Sequence, residues 1–227
     1  MSTLRPKFIT FDCYGTLIRF RISDMAREMF ADRVPADHME SFVKDFSAYR
    51  LDEVMGAWKP YAEVIRSSIE RTCAKWKIEL HDGEARSLYA AVPTWGPHVD
   101  VPAPLKVIAK EIPLVILSNA SNDQIHTNVA LLEAPFAHVY TAQDAQAYKP
   151  RFQAFEYMLD QLGCPPEQIM HVSSSFRYDQ MTARDLGFGA RVWVRRGHEP
   201  RCDGYATHEI DDIGGLPGLV GLLEHAG

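Results

Sequence analysis

The sequence predicts an α/β protein: a parallel sheet with crossover helices, interrupted after its first strand by a helical insert. Three observations carry the prediction. Five short runs rich in Val, Ile and Phe, at 8–11, 114–117, 138–141, 169–173 and 191–194, have the length and composition of buried strands. Helix-length segments separate them, as parallel strands require, because a parallel connection must cross the sheet. The stretch 19–95 holds no good strand and instead repeats its apolar residues at helical spacing.

Taken in order, the run 8–11 opens the sheet. The insert follows, with hints of one helix at Met25, Met29 and Phe30 and a second at Phe42, Phe46 and Tyr49. The third is the clearest, with Tyr61, Val64, Ile65, Ile69, Cys73 and Trp76 on one stripe. Four prolines between positions 93 and 104 close the insert. Beyond them, Phe152, Phe155, Met158, Leu159 and Leu162 form an apolar stripe ended by Gly163, with Pro150 near its start, where the missing N–H costs nothing. The chain therefore reads as a Rossmann-like core over 1–18 and 96–227 and a helical cap over 19–95. No repeat or low-complexity tract interrupts it.

Composition narrows the class. The 227 residues are 46% hydrophobic and 24% charged, which suits a soluble globular chain with a sizeable core. A net charge of -6 lacks the basic footprint of a nucleic-acid or anionic-membrane surface. Cys13, Cys73, Cys164 and Cys202 show neither a CxxC pair nor zinc spacing and read as reduced thiols. The N-terminal residues lack the apolar run of a secretory signal, and no stretch approaches ~18 uninterrupted apolar residues. A cytoplasmic protein is expected.

In an open parallel sheet, ligands bind outside the carboxyl ends of the strands. There the sequence delivers Asp12-Cys13-Tyr14-Gly15-Thr16, Ser118-Asn119, Tyr148-Lys149-Pro150 and Ser173-Ser174-Ser175 running on to Asp179. Asp12 at a strand end can be a metal ligand, a general base or a covalent nucleophile. Lys149 offers a fixed positive charge that would keep Asp12 ionised by lowering its pKa. Thr16, Ser118 and Asn119 supply neutral donors for a substrate carboxylate or phosphate.

The ordered set Asp12-Cys13-Tyr14-Gly15-Thr16-Leu17, Ser118-Asn119, Lys149-Pro150 and the Ser-rich segment to Asp179 resembles the haloacid dehalogenase superfamily, over nearly the whole chain. More narrowly it is similar to the L-2-haloacid dehalogenases. Superfamily phosphatases carry a second Asp two residues after the nucleophile, where this sequence has Tyr14, and paired acids in the fourth segment, where Asp179 stands alone. The resemblance implies a site without metal or other cofactor, in which Asp12 attacks Cα of a 2-haloalkanoate, expels halide and leaves an ester that water hydrolyses. It implies Asp12 as nucleophile, with Thr16, Ser118 and Asn119 as orienting groups and Lys149 as charge partner. Ser174 and Asp179 would support hydrolysis, and Tyr14 and Tyr61 would wall the apolar side of the pocket.

Departures from the family pattern are visible. Its Asn two residues after the serine is Phe176 here, and a gapless alignment puts Phe42 at its halide-binding arginine, for which Arg50 is the substitute. Its aromatic hydroxyl after the lysine is Phe155, with Tyr157 nearby. A homodimer is expected by resemblance. Two other uses stand beside dehalogenation: an Mg²⁺-dependent phosphatase of unusual motif, against which Tyr14 argues, and a non-catalytic binding protein on the same scaffold, against which the Asp12/Lys149 pair argues. His126, His171 and His208 lack a ligand spacing. Arg191, Arg195, Arg196 and Arg201 read as a solvated face, and Cys13 as a core thiol.

Overall fold

The structure, a computed structural model, describes residues 5–222, which divide into a helical unit, Phe20–Trp95, and a unit built from the rest. The second unit holds six strands: β1 (Phe8–Phe11), β2 (Leu114–Ser118), β3 (His138–Thr141), β4 (Ile169–Ser173), β5 (Ala190–Val194) and β6 (His208–Ile210). They form one parallel sheet in the order β3-β2-β1-β4-β5-β6. Every residue of β2 and β4 is buried, as expected of central parallel strands covered on both faces, so these strands read as continuous apolar runs. The sequence reading lacks β6, a three-residue edge strand with the sequence HEI that carries no apolar run.

The strand order reverses at β1, which lies between β2 and β4. That switch point is where the connections leave in opposite directions and open a crevice at the carboxyl ends. Register decides which side chains meet there. Thr10 pairs with Val115 on one side and His171 on the other, and Phe11 pairs with Ile116 and Val172. Alternation then puts Phe8, Thr10 and Asp12 on one face with Ile169, His171 and Ser173.

In the helical unit, α1 (Ile22–Met29), α2 (Met39–Met55), α3 (Tyr61–Trp76) and α4 (Glu84–Ala90) pack by their apolar stripes. The α3 stripe buries Tyr61, Val64, Ile65, Ile69 and Cys73 as the spacing predicts. The α1 stripe is shifted: Ile22, Ala26 and Phe30 are buried, whereas Met25 and Met29 are half-buried. Phe42 lies at the centre of this unit, its ring against Phe30 and Trp76. It fills core space.

In the sheet unit, the helices are α5 (Pro102–Ile108), α6 (Asn122–Ala130), α7 (Ala142–Ala145), α8 (Phe152–Leu162), α9 (Met181–Asp185) and α10 (Leu216–Leu219). Helix α8 buries Phe155 and Met158 against Val115, Leu117, Ile169 and Phe188. Phe152, expected on the same stripe, is the first residue of α8 and is 45% exposed. Gly163 ends the helix at φ 55°, a left-handed cap that costs a glycine little. The arginines near β5 are not simply a solvated face. Arg196 is half-buried and makes a two-pronged ion pair with Asp100 at 2.9 and 2.7 Å, and Arg191 donates to the carbonyls of Tyr205 and Phe188. Among the described residues no helix is long and apolar enough to cross a membrane, and the four cysteines are free thiols.

Candidate active site

The site begins where β1 stops. The Asp12 N–H still donates to Val172 O at 3.0 Å, so the carboxylate leaves the sheet from a fixed backbone. The chain then turns through Gly15 at φ 93°, a conformation open to glycine. Leu17 and Ile18 N–H both return to Cys13 O, closing a turn that brings Thr16 back over Asp12. The Thr16 hydroxyl donates to Asp12 Oδ2 at 2.6 Å and accepts from the Ser174 N–H at 2.9 Å, with Ser174 Oγ 3.1 Å away. Thr16 thereby ties the β1 turn to the segment after β4.

The other oxygen of Asp12 meets Lys149. The Lys149 ammonium, 1% exposed, donates to Asp12 Oδ1 at 2.8 Å and to Asp179 Oδ1 at 2.8 Å. Asp179, fully buried in the wide helical turn Phe176–Gln180, also accepts from Ser173 Oγ at 3.0 Å on Oδ2. Its Oδ1 has a further partner that the sequence reading passed over: His171 Nε2 at 2.9 Å. The signal for it was register, since Thr10 and His171 are direct neighbours across β1 and β4, and register needs the sheet order.

Burial is the largest influence on Asp12 and raises its pKa above the ordinary carboxylate value. Lys149 opposes the rise and the Asp179 charge adds to it, and the hydrogen bonds from Lys149 and Thr16 do not cancel it. The expectation that Lys149 lowers the pKa of Asp12 is correct for its own contribution and wrong for the net. Burial pushes on Asp179 in the same direction, but Lys149 and His171 outweigh it and hold that carboxyl below its usual value. Burial alone would lower Lys149, and the two carboxylates more than reverse this, keeping the ammonium charged. One buried cation therefore serves two buried carboxylates whose environments push their pKa values apart, the pattern that divides chemical labour between paired acids.

Ser118, at the end of β2, is 1% exposed and its hydroxyl has no hydrogen-bond partner among the described residues. A buried orphan donor of this kind is uncommon and marks a place where a ligand atom fits. Asn119 also has a role within the protein. Its side chain donates to Lys149 O at 2.9 Å and accepts from Lys149 N–H at 2.7 Å, so the amide clamps the backbone of the lysine and one N–H is left over for a substrate. The Tyr14 hydroxyl donates to Asn128 Oδ1 at 2.8 Å, a partner on α6 that no motif marks.

The ring of Phe176 lies 4.8 Å from that of Trp193, and its N–H donates to Glu199 at 2.8 Å. The ring thus packs beside the Ser174–Asp179 segment, at a position named in the sequence as a substrate-side candidate. In the helical unit, Arg50 lies over the rings of Phe20 and Phe46 and donates to Ser47 Oγ at 3.1 Å. Its buried Nε has no hydrogen-bond partner among the described residues. Arg50 is also a hydrogen-bond partner of Tyr61, whose hydroxyl is pushed up by burial against the lowering effect of the guanidinium. The structure thus brings two groups of residues together, one in each unit: Asp12, Thr16, Ser174, Lys149 and Asp179 in the sheet unit, and Arg50 with Tyr61 in the helical unit. Among the described residues no group of three or more His, Cys, Asp or Glu side chains converges as a metal site.

Comparison with known proteins gives a consistent result. The haloacid dehalogenase-like hydrolase family matches residues 6–187. Haloacetate dehalogenase H-2 of Moraxella sp. (strain B) is 27% identical over 192 residues, covering 83% of this chain and 85% of that protein. An (S)-2-haloacid dehalogenase of Pseudomonas putida is 26% identical over 212 residues, covering 90% and 92%. Among solved structures, the L-2-haloacid dehalogenase from Xanthobacter autotrophicus with chloropropionic acid covalently bound superposes with a TM-score of 0.77 at 21% identity, over 95% of this chain and 98% of that one.

Proposed function

This chain belongs to the haloacid dehalogenase-like hydrolase family, and from that premise we propose that it converts short-chain 2-haloacids to 2-hydroxyacids through an ester formed on Asp12. The relatives named as haloacid dehalogenases, at about a quarter identity, support the substrate class. The observation that carries the reading is the buried Lys149 ammonium 2.8 Å from both Asp12 and Asp179.

In the first step an Asp12 oxygen attacks Cα of the haloacid, the carbon–halogen bond breaks with its electron pair, and halide departs. Asp12 is ionised for this, which Lys149 and Thr16 favour by donating to its two oxygens. The raised pKa of Asp12 accompanies a more basic, more nucleophilic carboxylate. Ser118 Oγ and the spare Asn119 N–H are suited to the substrate carboxylate. Tyr14 is proposed to contact the apolar body of the substrate.

In the second step water attacks the carbonyl carbon of the Asp12 side chain. Its proton passes to a base, the tetrahedral intermediate collapses, and the 2-hydroxyacid leaves with the original alkyl–oxygen bond intact. Asp179, with Lys149 and Ser174 beside it, is proposed to hold and deprotonate that water. Lys149 supplies the positive charge between the carboxylates, which supports chemistry without a divalent cation. The same reading carries a cytoplasmic location and a homodimer, which fractionation and light scattering would check.

The test is a single turnover of 2-chloropropionate in ¹⁸O water with enzyme in excess. The label is expected in the Asp12 side chain. Label appearing first in the product would sink the covalent route, and phosphate release from an aryl phosphate with no halide release would replace the reading with phosphoryl transfer.

A further inference from the structure

His171 is fully buried, within the sheet, and has no place in the reaction as derived above. Its ring packs edge-on against Phe155 at 5.7 Å and Phe188 at 5.8 Å, and both ring nitrogens have partners. Nε2 is 2.9 Å from Asp179 Oδ1 and Nδ1 is 2.8 Å from Thr10 Oγ1. The hydrogen-bond network assigns the tautomer: a carboxylate only accepts, so Nε2 carries the proton, and Nδ1 then accepts from the Thr10 hydroxyl. The alternative acceptor for Thr10, Met170 O, lies farther off at 3.4 Å. Phe155, at the position that the resemblance marks for an aromatic hydroxyl, donates nothing, and the imidazole packed against it does.

Asp179 Oδ1 thus takes two N–H donors, from His171 and from the Lys149 ammonium, and the same ammonium faces Asp12 at an equal 2.8 Å. Two carboxylates compete for one cation. Any donor that satisfies part of the Asp179 charge weakens its claim on the ammonium. We propose that His171 is a positioning residue for the reaction of Asp12: its N–H holds Asp179 so that Lys149 is shared between the two carboxylates rather than captured by Asp179. This rests on the function proposed above and extends it to a residue that touches neither substrate nor nucleophile.

The groups facing His171 are few. Thr10 of β1, Phe155 of α8 and Phe188 are uncharged, and the charged groups are Asp179 and, through it, Lys149 and Asp12. Without the imidazole N–H, Lys149 moves toward Asp179. Asp12 loses part of the one charge that opposes its burial, so more of it is protonated at a given pH.

The test uses His171→Phe, which suits the aromatic surroundings, His171→Gln, which keeps a donor, and Thr10→Val, which removes the group that fixes the tautomer. Misplacing a catalytic charge by about 1 Å costs about 10²-fold in rate. His171→Phe is expected to lower kcat by about that factor with KM changed less than threefold, and to move the acid limb of the pH–rate profile upward. His171→Gln should recover most of the rate and return the limb, and Thr10→Val should move both in the direction of His171→Phe by a smaller amount. Folded variants with wild-type kcat and limb would overturn the proposal, as would equal losses in Phe and Gln variants with an unmoved limb. A substrate-free readout separates this from the function itself: ¹³C titration of the aspartate carboxyls in His171→Phe, or in Thr10→Val if the former does not fold. If the wild-type protein releases no halide, the dehalogenase reading fails, while an upward shift of the Asp12 carboxyl titration would still support the role of His171 and an unshifted one would overturn it.

Discussion

Replacing Lys149 by Met tests the site most directly. The ammonium is 1% exposed and makes two contacts of 2.8 Å, each worth about 6 kcal/mol of gross attraction at an effective dielectric of 20. Desolvation of three buried charges offsets most of this, and breaking such a pair from one side typically costs about 3–5 kcal/mol. The variant leaves Asp12 and Asp179 buried without their cation. At least one carboxyl is then neutral at pH 7, and Asp12, whose pKa already lies above the ordinary value, is the one expected to take up the proton. A protonated Asp12 is no nucleophile, so the rate loss should reach or exceed the ~10²–10³ that accompanies removal of one preorganised charge. Halide release measured between pH 5 and 9, with a thermal melt at each pH, gives the answer. Activity should partly return at high pH, where Asp12 ionises again, while stability falls. A folded variant with less than a threefold loss at pH 7 would show that the ammonium has no part in catalysis and refute the electrostatic argument.

Four further outcomes are expected. Ser118→Ala should leave the melting temperature unchanged or slightly higher, since the hydroxyl is a buried donor without a partner among the described residues, and should raise KM for the haloacid about tenfold or more, the loss of a hydrogen bond to a charged group. Phe176→Ala should cost about 3–5 kcal/mol of stability by emptying the space beside Trp193, whereas Phe176→Leu should retain most of it in a denaturant titration. Stability should fall as pH drops through the ordinary carboxylate range near ~4: Asp179 is held below its unfolded value, so its contribution is present above that value and is lost as the carboxyl protonates in the folded state. EDTA should leave halide release unchanged, and abolition reversed by Mg²⁺ would replace the charge role given to Lys149.

Much of the fold was legible because central parallel strands are buried on both faces and write themselves as apolar runs, which is why 8–11 and 169–173 match β1 and β4 to the residue. Strand β6 was not, because an edge strand of three residues is specified by its neighbour more than by its own side chains. The stripe on α1 was misplaced for a related reason. Met25 and Met29 are the larger apolar residues, yet Ile22 and Ala26 face the packing partner, and which side of a helix meets a neighbour depends on that neighbour.

At the site, the sequence by itself determined which chemical groups are present and that they follow strand ends: Asp12, Ser118, Lys149 and Asp179 are each named by their motifs. Tertiary structure decided what each group does to the others. It made Asn119 a clamp on the Lys149 backbone with one N–H to spare, and put Phe176 in contact with Trp193. It set the net pKa of Asp12 above normal in spite of Lys149 and made His171 a partner of Asp179. Composition and local pattern encode what a residue can donate, accept or bury. Depth of burial and the sharing of one cation between two anions depend on distances between segments over a hundred residues apart in the chain, as Asp12 and Lys149 are, and those distances exist only once β1 has β2 on one side and β4 on the other.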